Sequence, residues 1–141
     1  MIEVNKEAWA TMVAHAEKTF PNECCGAMIG RIDGEHKVVT VATPIENTFQ
    51  GAKEHRYEIR PEDLLAAEKA ARAEGKDLIG IFHSHPDHDA YFSETDLNNS
   101  CPWYSFIVLS VKQGKFDHAA SFLPNAEQTE AEKEELIWPK S

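Results

Sequence analysis

The sequence predicts an α+β fold, with a mixed or mostly antiparallel sheet flanked by helices, in a single domain over residues 1–141. Helical and strand-like segments follow one another without the strict strand–helix–strand order of a parallel α/β protein. Two turn signals, Asp33-Gly34 and Gln113-Gly114, lie between strand-like segments and favour hairpins. A chain of 141 residues with 42% hydrophobic and 27% charged side chains suits one domain that folds without disulfides.

The N-terminal third predicts a helix followed by a hairpin. Asn5 can cap a helix over residues 6–18, and Pro21-Asn22 ends it. The apolar stripe of this helix, expected to face the core, consists of Trp9, Met12, Val13, Ala16 and Phe20. The small apolar segment 24–29 predicts a buried strand, and the turn at Asp33-Gly34 leads into a second strand over residues 37–42.

The middle of the chain predicts a loop, a short strand and a helix. Residues 44–53 are typical of a loop, while Tyr57 and Ile59 indicate a short strand. Pro61 suits the first turn of a helix that ends at Gly75.

The C-terminal half predicts two buried strands, a short helix, a last strand and a helical tail. The first buried strand, 78–82, runs directly into His83-Ser84-His85-Pro86. Ser93 opens the short helix, 105–111 form the second buried strand, and 116–122 the last one. The tail from Asn125 is predicted to be helical, with acidic residues on its solvated face. These acidic residues are Glu127, Glu130, Glu132, Glu134 and Glu135.

Charge and cysteine content restrict the class of partner and the compartment. A net charge of −10 argues against binding to nucleic acid or to an anionic membrane surface. Three cysteines, two of them adjacent at Cys24 and Cys25, do not form a disulfide framework and favour a reducing compartment. With no signal peptide and no apolar run of about 20 residues, we expect a cytoplasmic protein. The oligomeric state stays open.

Two histidines at the end of a buried strand indicate a metal site. His83 and His85 are two residues apart, so their imidazoles point to the same side of an extended chain. Ser93 and Asp96 form a Ser-x-x-Asp pattern, which by itself predicts a helix-capping box and can also hold Asp96 in place as a third ligand. Two histidines and one carboxylate leave the fourth position of a zinc ion open for water.

With Glu23 upstream, these motifs resemble those of the JAMM (MPN+) zinc metalloproteases. The family signature is an upstream Glu, then His-Ser/Thr-His-Pro, a short loop and Ser-x-x-Asp. This chain has Glu23, then His83-Ser84-His85-Pro86, then Ser93 and Asp96. The segments PNECCGAMIG, RYEIRPEDL and SETDLNNSCPWYSFIVLSV are similar to those of the small prokaryotic branch. The resemblance covers roughly residues 6–123.

The resemblance implies a curved sheet flanked by helices, in a cytidine-deaminase-like architecture, and one zinc ion on His83, His85 and Asp96. It implies that Glu23 is the general base and proton shuttle, and that Ser93 donates a hydrogen bond to the oxyanion. The implied substrate is a peptide or isopeptide bond at the C-terminal tail of a ubiquitin-like or sulfur-carrier protein. Such a tail can add as a strand to a sheet edge, for which residues 44–57 are the candidate.

Two alternatives stay open at this point. The first is a non-catalytic MPN scaffold that binds a protein partner. The second is a metallo-β-lactamase-like hydrolase, because His83 to His88 also reads His-x-His-x-Asp-His. Under the JAMM interpretation, His88 and Asp89 are loop residues at the mouth of the site. Trp103 and Tyr104 are expected to pack, although they can also line the cleft.

The remaining histidines and cysteines are expected to have no role in the site. Cys24 and Cys25 suit small core positions, and Cys101 is expected to be a free thiol. The histidines without convergent partners, expected to lie at the surface or to be satisfied in the core, are His15, His36, His55 and His118.

Overall fold

Eight strands and three helices make up the part of the protein that the computed structural model describes, residues 1–139. The strands are β1 (Ile2–Val4), β2 (Cys25–Asp33), β3 (His36–Ile45), β4 (Asp77–Pro86), β5 (Ser105–Lys112), β6 (Lys115–Pro124), β7 (Ala131–Glu134) and β8 (Leu136–Ile137). The helices are α1 (Lys6–Thr19), α2 (Pro61–Ala73) and α3 (Glu94–Asn98). None of these helices is both long and apolar enough to cross a bilayer.

The strands form one mixed sheet in the order β7-β6-β5-β4-β2-β3-β1-β8. The hairpins β2–β3 and β5–β6 are antiparallel, whereas β4–β5, β1–β3 and β1–β8 are parallel pairs. The turn residues suit these hairpins, because Gly34, Gln113 and Gly114 all adopt positive φ. The predicted α+β class is therefore confirmed.

Helices cover the two faces of the sheet. Ala8, Met12 and Ala16 of α1 pack against one face in a cluster that includes Met28, while Ala27, the preceding residue of β2, packs with Ala67 of α2. Because successive strand residues point to opposite faces, α1 and α2 lie on opposite sides of β2. The predicted cap of α1 is confirmed, since Asn5 Oδ1 accepts from the N–H of Ala8 at 2.9 Å.

The central strand β4 carries the two histidines of the motif on the α2 side. Phe82 belongs to the α1-side core, so Ile81, His83 and His85 face the other way. The parallel partner β5 passes so close to Gly80 that a Cβ at this position would overlap the backbone of Ser105. Glycine is therefore required where β4 and β5 come together.

The tail predicted to be helical instead forms β7 and β8, which join the two ends of the sheet. β7 pairs with β6 at one end, β8 pairs with β1 at the other, and Glu135 alone separates them along the chain. The buried Glu134 explains why the tail is not helical, because a buried carboxylate needs hydrogen-bond donors and the sheet supplies them. Its carboxylate accepts from Lys37 Nζ at 3.0 Å and from Ser121 Oγ at 3.0 Å.

The short strand predicted around Tyr57 and Ile59 is also wrong. Both residues lie in an irregular segment that the Asn47 side chain organises. Asn47 Oδ1 accepts from the N–H of Glu58, and its Nδ2 donates to the carbonyl oxygens of Glu23 and Arg56. Side-chain hydrogen bonds thus replace the strand ladder here.

Candidate metal centre

The structure brings His83, His85 and Asp96 together in the interior. His83 Nε2 lies 3.2 Å from Asp96 Oδ1, and His85 Nε2 lies 3.1 Å from Asp96 Oδ2. Ligand atoms of the three side chains all lie within 4.8 Å of one another, and all three residues are buried. This group can hold a metal ion.

The elements that carry these side chains explain why they converge. His83 and His85 project from the end of β4, and Asp96 lies in the first turn of α3. The predicted capping box is confirmed: Ser93 Oγ accepts from the N–H of Asp96, and Asp96 Oδ2 accepts from the N–H of Ser93, both at 3.0 Å. The oxygen that faces His85 is thus fixed by the helix cap.

The register of β2 against β4 places Glu23 beside His85. Cys25 lies opposite His83, and the ladder continues to Cys24, whose N–H donates to Ser84 Oγ at 2.8 Å. Two residues before Cys25, Glu23 therefore lies across from His85 and projects to the same face. Its Oε1 is buried and has no hydrogen-bond partner within residues 1–139.

Burial and mutual charge set the protonation of the cluster. Burial raises the pKa of Glu23 to about 8, against the charge of His85, and the Asp96 charge adds to the rise. Although burial raises the pKa of Asp96, the neighbouring His83 and His85 hold it well below its ordinary value. Burial lowers the pKa of His85, but its hydrogen bond to Asp96 and the charge of Asp96 outweigh this and raise it.

The donor set fits a cation such as zinc. Neither ring nitrogen of His83 has a hydrogen-bond partner in the described part of the chain, although buried polar atoms normally do. His85 Nδ1 donates to the carbonyl oxygen of Asp89 at 2.9 Å, which leaves Nε2 free to coordinate. Two imidazoles and one carboxylate are a ligand set that catalytic zinc sites use.

Aromatic residues line the centre, and two of them, Tyr57 and Tyr91, were not expected there. The buried Tyr57 stacks on His83 with ring centroids 4.6 Å apart, and Tyr91 packs edge-on against His85 at 5.0 Å. Tyr57 and Tyr104 also line an adjoining cavity of about 180 Å³. Trp103, expected to pack, is 73% exposed. No local pattern marks Tyr57, because its contact to His83 is 26 positions away along the chain.

Other residues of the sequence analysis lie outside this centre. His88 is not part of the group of metal-binding side chains that the described residues form, and its carbonyl oxygen accepts from Ser110. Cys24 and Cys25 are buried in the sheet as expected, and Cys101 is a partly buried free thiol. His15 is not satisfied in the core, because its buried Nε2 has no hydrogen-bond partner within residues 1–139.

Comparison with known proteins identifies relatives of this chain. The family described as prokaryotic homologs of the JAB domain matches residues 5–123. A desampylase of Haloferax volcanii is 37% identical over 93 residues, which cover 64% of this chain and 63% of that protein. The chain thus spans less than two thirds of the length of this curated relative.

Solved structures share the fold of this chain. A protein of Desulfitobacterium hafniense superposes with a TM-score of 0.85 and 31% identity, over 100% of this chain and 94% of that chain. A JAB1/MPN domain protein of Archaeoglobus fulgidus shares the fold, with a TM-score of 0.61 and 16% identity over 99% of this chain and 98% of that chain. The family match confirms the resemblance to the small prokaryotic branch, and none of these relatives supports the metallo-β-lactamase-like alternative.

Proposed function

Because the chain belongs to the family of prokaryotic homologs of the JAB domain, we propose that it is a zinc-dependent peptidase or isopeptidase. Its substrate is an amide bond at the C-terminal tail of a ubiquitin-like or sulfur-carrier protein. The observation that carries this proposal is the convergence of His83, His85 and Asp96 beside the buried Glu23. The similarity to a desampylase supports the choice of substrate class.

His83, His85 and Asp96 hold the zinc ion, one per chain. Asp96 supplies a charged ligand because its pKa lies far below neutral pH, and its helix cap fixes the carboxylate. His85 supplies Nε2 because its other nitrogen is engaged with Asp89. When bound, zinc acts as a Lewis acid and lowers the pKa of water to about 7.

Glu23 is the general base. Its carboxylate lies across from His85 at the end of the β2–β4 ladder, with one oxygen free of hydrogen bonds. It accepts a proton from the attacking water and passes it to the leaving amine. In the metal-free protein, burial raises the pKa of this carboxyl to about 8, and the positive charge of a bound zinc ion would lower it towards neutral pH. A carboxyl with a pKa near neutral pH is suited to both transfers.

Ser93 stabilises the oxyanion. Its Oγ accepts from the N–H of Asp96, and the hydroxyl proton has no acceptor among the described residues. The hydroxyl can therefore donate to the developing negative charge of the scissile carbonyl. Since the same residue caps α3, its position relative to Asp96 is fixed before substrate binds.

The substrate tail binds along the segment that adjoins Glu23. The N–H of Glu23 donates to the carbonyl oxygen of Lys53 at 2.8 Å, and Asn47 donates to the carbonyl of Glu23 at 3.1 Å. The segment 44–57 therefore passes next to the general base. An extended tail pairing with it would place the scissile bond close to Glu23.

The test is Glu23→Gln, which keeps the shape of the side chain and removes the base. We expect one zinc per chain to remain, and cleavage of a ubiquitin-like protein extended at its C-terminus to fall by about 10²- to 10⁴-fold. Products are weighed by mass spectrometry. Glu7→Gln, an exposed glutamate on α1, is the matched control and keeps the wild-type rate. Cleavage at the normal rate by Glu23→Gln would contradict the assigned role.

Metal analysis of the purified wild-type protein separates the enzyme from a scaffold. About one zinc per chain with turnover supports the peptidase. A chain that binds no zinc and cleaves none of the extended proteins would instead be a non-catalytic module that binds a partner.

A further inference from the structure

One peptide group links a ligand of the candidate metal centre to a histidine on β6. The carbonyl oxygen of Asp89 accepts from His85 Nδ1 at 2.9 Å. The N–H of Ala90, in the same peptide group, donates to His118 Nε2 at 3.0 Å. The two imidazoles thus hold the two ends of a single amide.

The hydrogen bonds fix which nitrogen of His118 carries a proton. A backbone N–H can only donate, so Nε2 of His118 accepts and is unprotonated. The proton of the neutral ring therefore lies on Nδ1, which is 2.7 Å from Asp117 Oδ2. Each group from Asp117 to His85 donates or accepts in one consistent direction, which is the arrangement in which hydrogen bonds strengthen one another.

We propose that His118, backed by Asp117, is a positioning residue that orients His85 through the Asp89–Ala90 peptide. The inference rests on the proposed zinc centre. By accepting a hydrogen bond from the N–H of Ala90, His118 increases the negative charge on the carbonyl oxygen of Asp89. The same bond fixes the orientation of the peptide group. The stronger hydrogen bond from His85 Nδ1 holds the ring with Nε2 towards the metal and makes Nε2 a stronger metal ligand.

Other contacts hold the loop itself, so the role of His118 can be separated from folding. The N–H of Asp87 donates to the carbonyl of Val111 at 2.7 Å, Ser110 Oγ donates to the carbonyl of His88, and Lys112 Nζ binds Asp89 Oδ1, both at 2.6 Å. Loss of His118 therefore leaves the loop attached to β5 and changes the peptide that His85 contacts.

The expected effect is moderate because His118 and Asp117 are partly solvated, with exposed side-chain fractions of 38% and 49%. Partners that contact a metal ligand directly change metal affinity by about 10- to 100-fold. His118 acts on His85 only through the intervening peptide, so we expect His118→Leu to weaken zinc binding by roughly three- to tenfold.

The experiment measures zinc affinity by competition with a chromophoric chelator. His118→Gln keeps an acceptor oxygen near the position of Nε2 and should restore affinity to within about twofold of wild type. His36→Leu, at a histidine of similar exposure on β3, is the control and leaves affinity unchanged. Wild-type affinity in His118→Leu, or equal losses in the Leu and Gln variants, would overturn the proposal.

Nitrogen-15 NMR of the imidazoles gives a readout that does not depend on zinc or on cleavage. We expect His118 to carry its proton on Nδ1, and the Nδ1 resonance of His85 to shift in His118→Leu and return in His118→Gln. An unmoved His85 signal would overturn the positioning role even if the protein is an active peptidase. A moved signal in a protein without peptidase activity supports the link and contradicts only the proposed function.

Discussion

The protein contains two buried ionic clusters, and they differ in how completely their polar atoms are satisfied. In the first, which joins β3, β5, β6 and β7, both oxygens of Glu134 accept hydrogen bonds, and Lys37 also donates to Ser105 Oγ at 2.7 Å. In the second, the candidate metal centre, Oε1 of Glu23 and both ring nitrogens of His83 make no hydrogen bond within residues 1–139, although His83 Nε2 lies 3.2 Å from Asp96 Oδ1.

The difference indicates that the cluster around Glu134 stabilises the fold, whereas the candidate metal centre is preorganised for a ligand. Buried polar atoms without hydrogen bonds lower stability, so a native protein retains them where a ligand or a reaction needs them. Both oxygens of Glu134 accept hydrogen bonds from the protein, whereas in the candidate metal centre the protein atoms alone do not satisfy His83 and Glu23. Substitutions in the first cluster should therefore lower the stability of the fold, whereas substitutions in the second should lower metal affinity.

The largest expected effect is the loss of metal binding in Asp96→Asn. Asparagine keeps an oxygen for the helix cap but removes the charge that a cation requires, so zinc affinity should fall by at least about 100-fold. Chelator competition and metal analysis measure the loss. Asp77→Asn, at the exposed start of the same strand that carries the histidines, is the control. One tightly held zinc in Asp96→Asn would show that the carboxylate is not a ligand.

Glu134→Ala should give the converse result, with lower stability and unchanged zinc affinity. Removal of Glu134, whose side chain is 2% exposed, leaves Lys37, 18% exposed, without its counter-charge. We expect the free energy of unfolding to fall by about 3 kcal/mol in urea titrations. Glu132→Ala, exposed on the same strand, should change it by less than about 0.5 kcal/mol. Equal effects of the two variants would remove the distinction between the clusters.

The smallest expected effect is a pH dependence of stability in the metal-free protein. Folding raises the pKa of Glu23 from 4.5 to about 8, so the native state binds more protons in this range and stability falls as pH rises. The raised pKa of His85 acts in the same direction above pH 6.5. The lowered pKa of Asp96 contributes a constant amount above pH 3.8.

From pH 5 to pH 7, the free energy of unfolding should decrease by about 2 kcal/mol in the presence of a chelator. Glu23→Gln should remove most of this slope. Stability that rises with pH over the same range would show that the buried carboxyl of Glu23 is ionised in the metal-free protein.

The sequence was sufficient for the parts of the fold that local patterns determine. The cap of α1 by Asn5, the hairpin turns and the capping box of Ser93 all depend on residues within four positions of one another. The approach of His83, His85 and Asp96 followed from strand alternation and from the family motif. These features agree with their local propensities, so tertiary structure did not alter them.

Where the sequence analysis was wrong, contacts between distant residues determined the structure. Residues 131–134 read Ala-Glu-Lys-Glu, a composition that favours a helix, yet Lys37 and Ser121 hold Glu134 in a strand. Asn47 replaces the expected strand at Tyr57 with bonds to residues nine and more positions away. His118, expected to lie at the surface or to be satisfied in the core, accepts from the N–H of Ala90, which is 28 positions away. A single sequence gives no signal for such pairs.

The single residue Glu135 between β7 and β8 has a consequence for self-association. Bare strand edges are templates on which other chains aggregate. Here the two end strands, β7 and β8, are connected through Glu135 alone, so the two ends of the sheet are held close together. Within residues 1–139, β1 covers β3 only as far as Val39, and Pro44, which has no N–H to donate, interrupts the uncovered stretch. Pro44 thereby disfavours unselective pairing of other chains with the uncovered edge of β3, which continues into the segment next to Glu23.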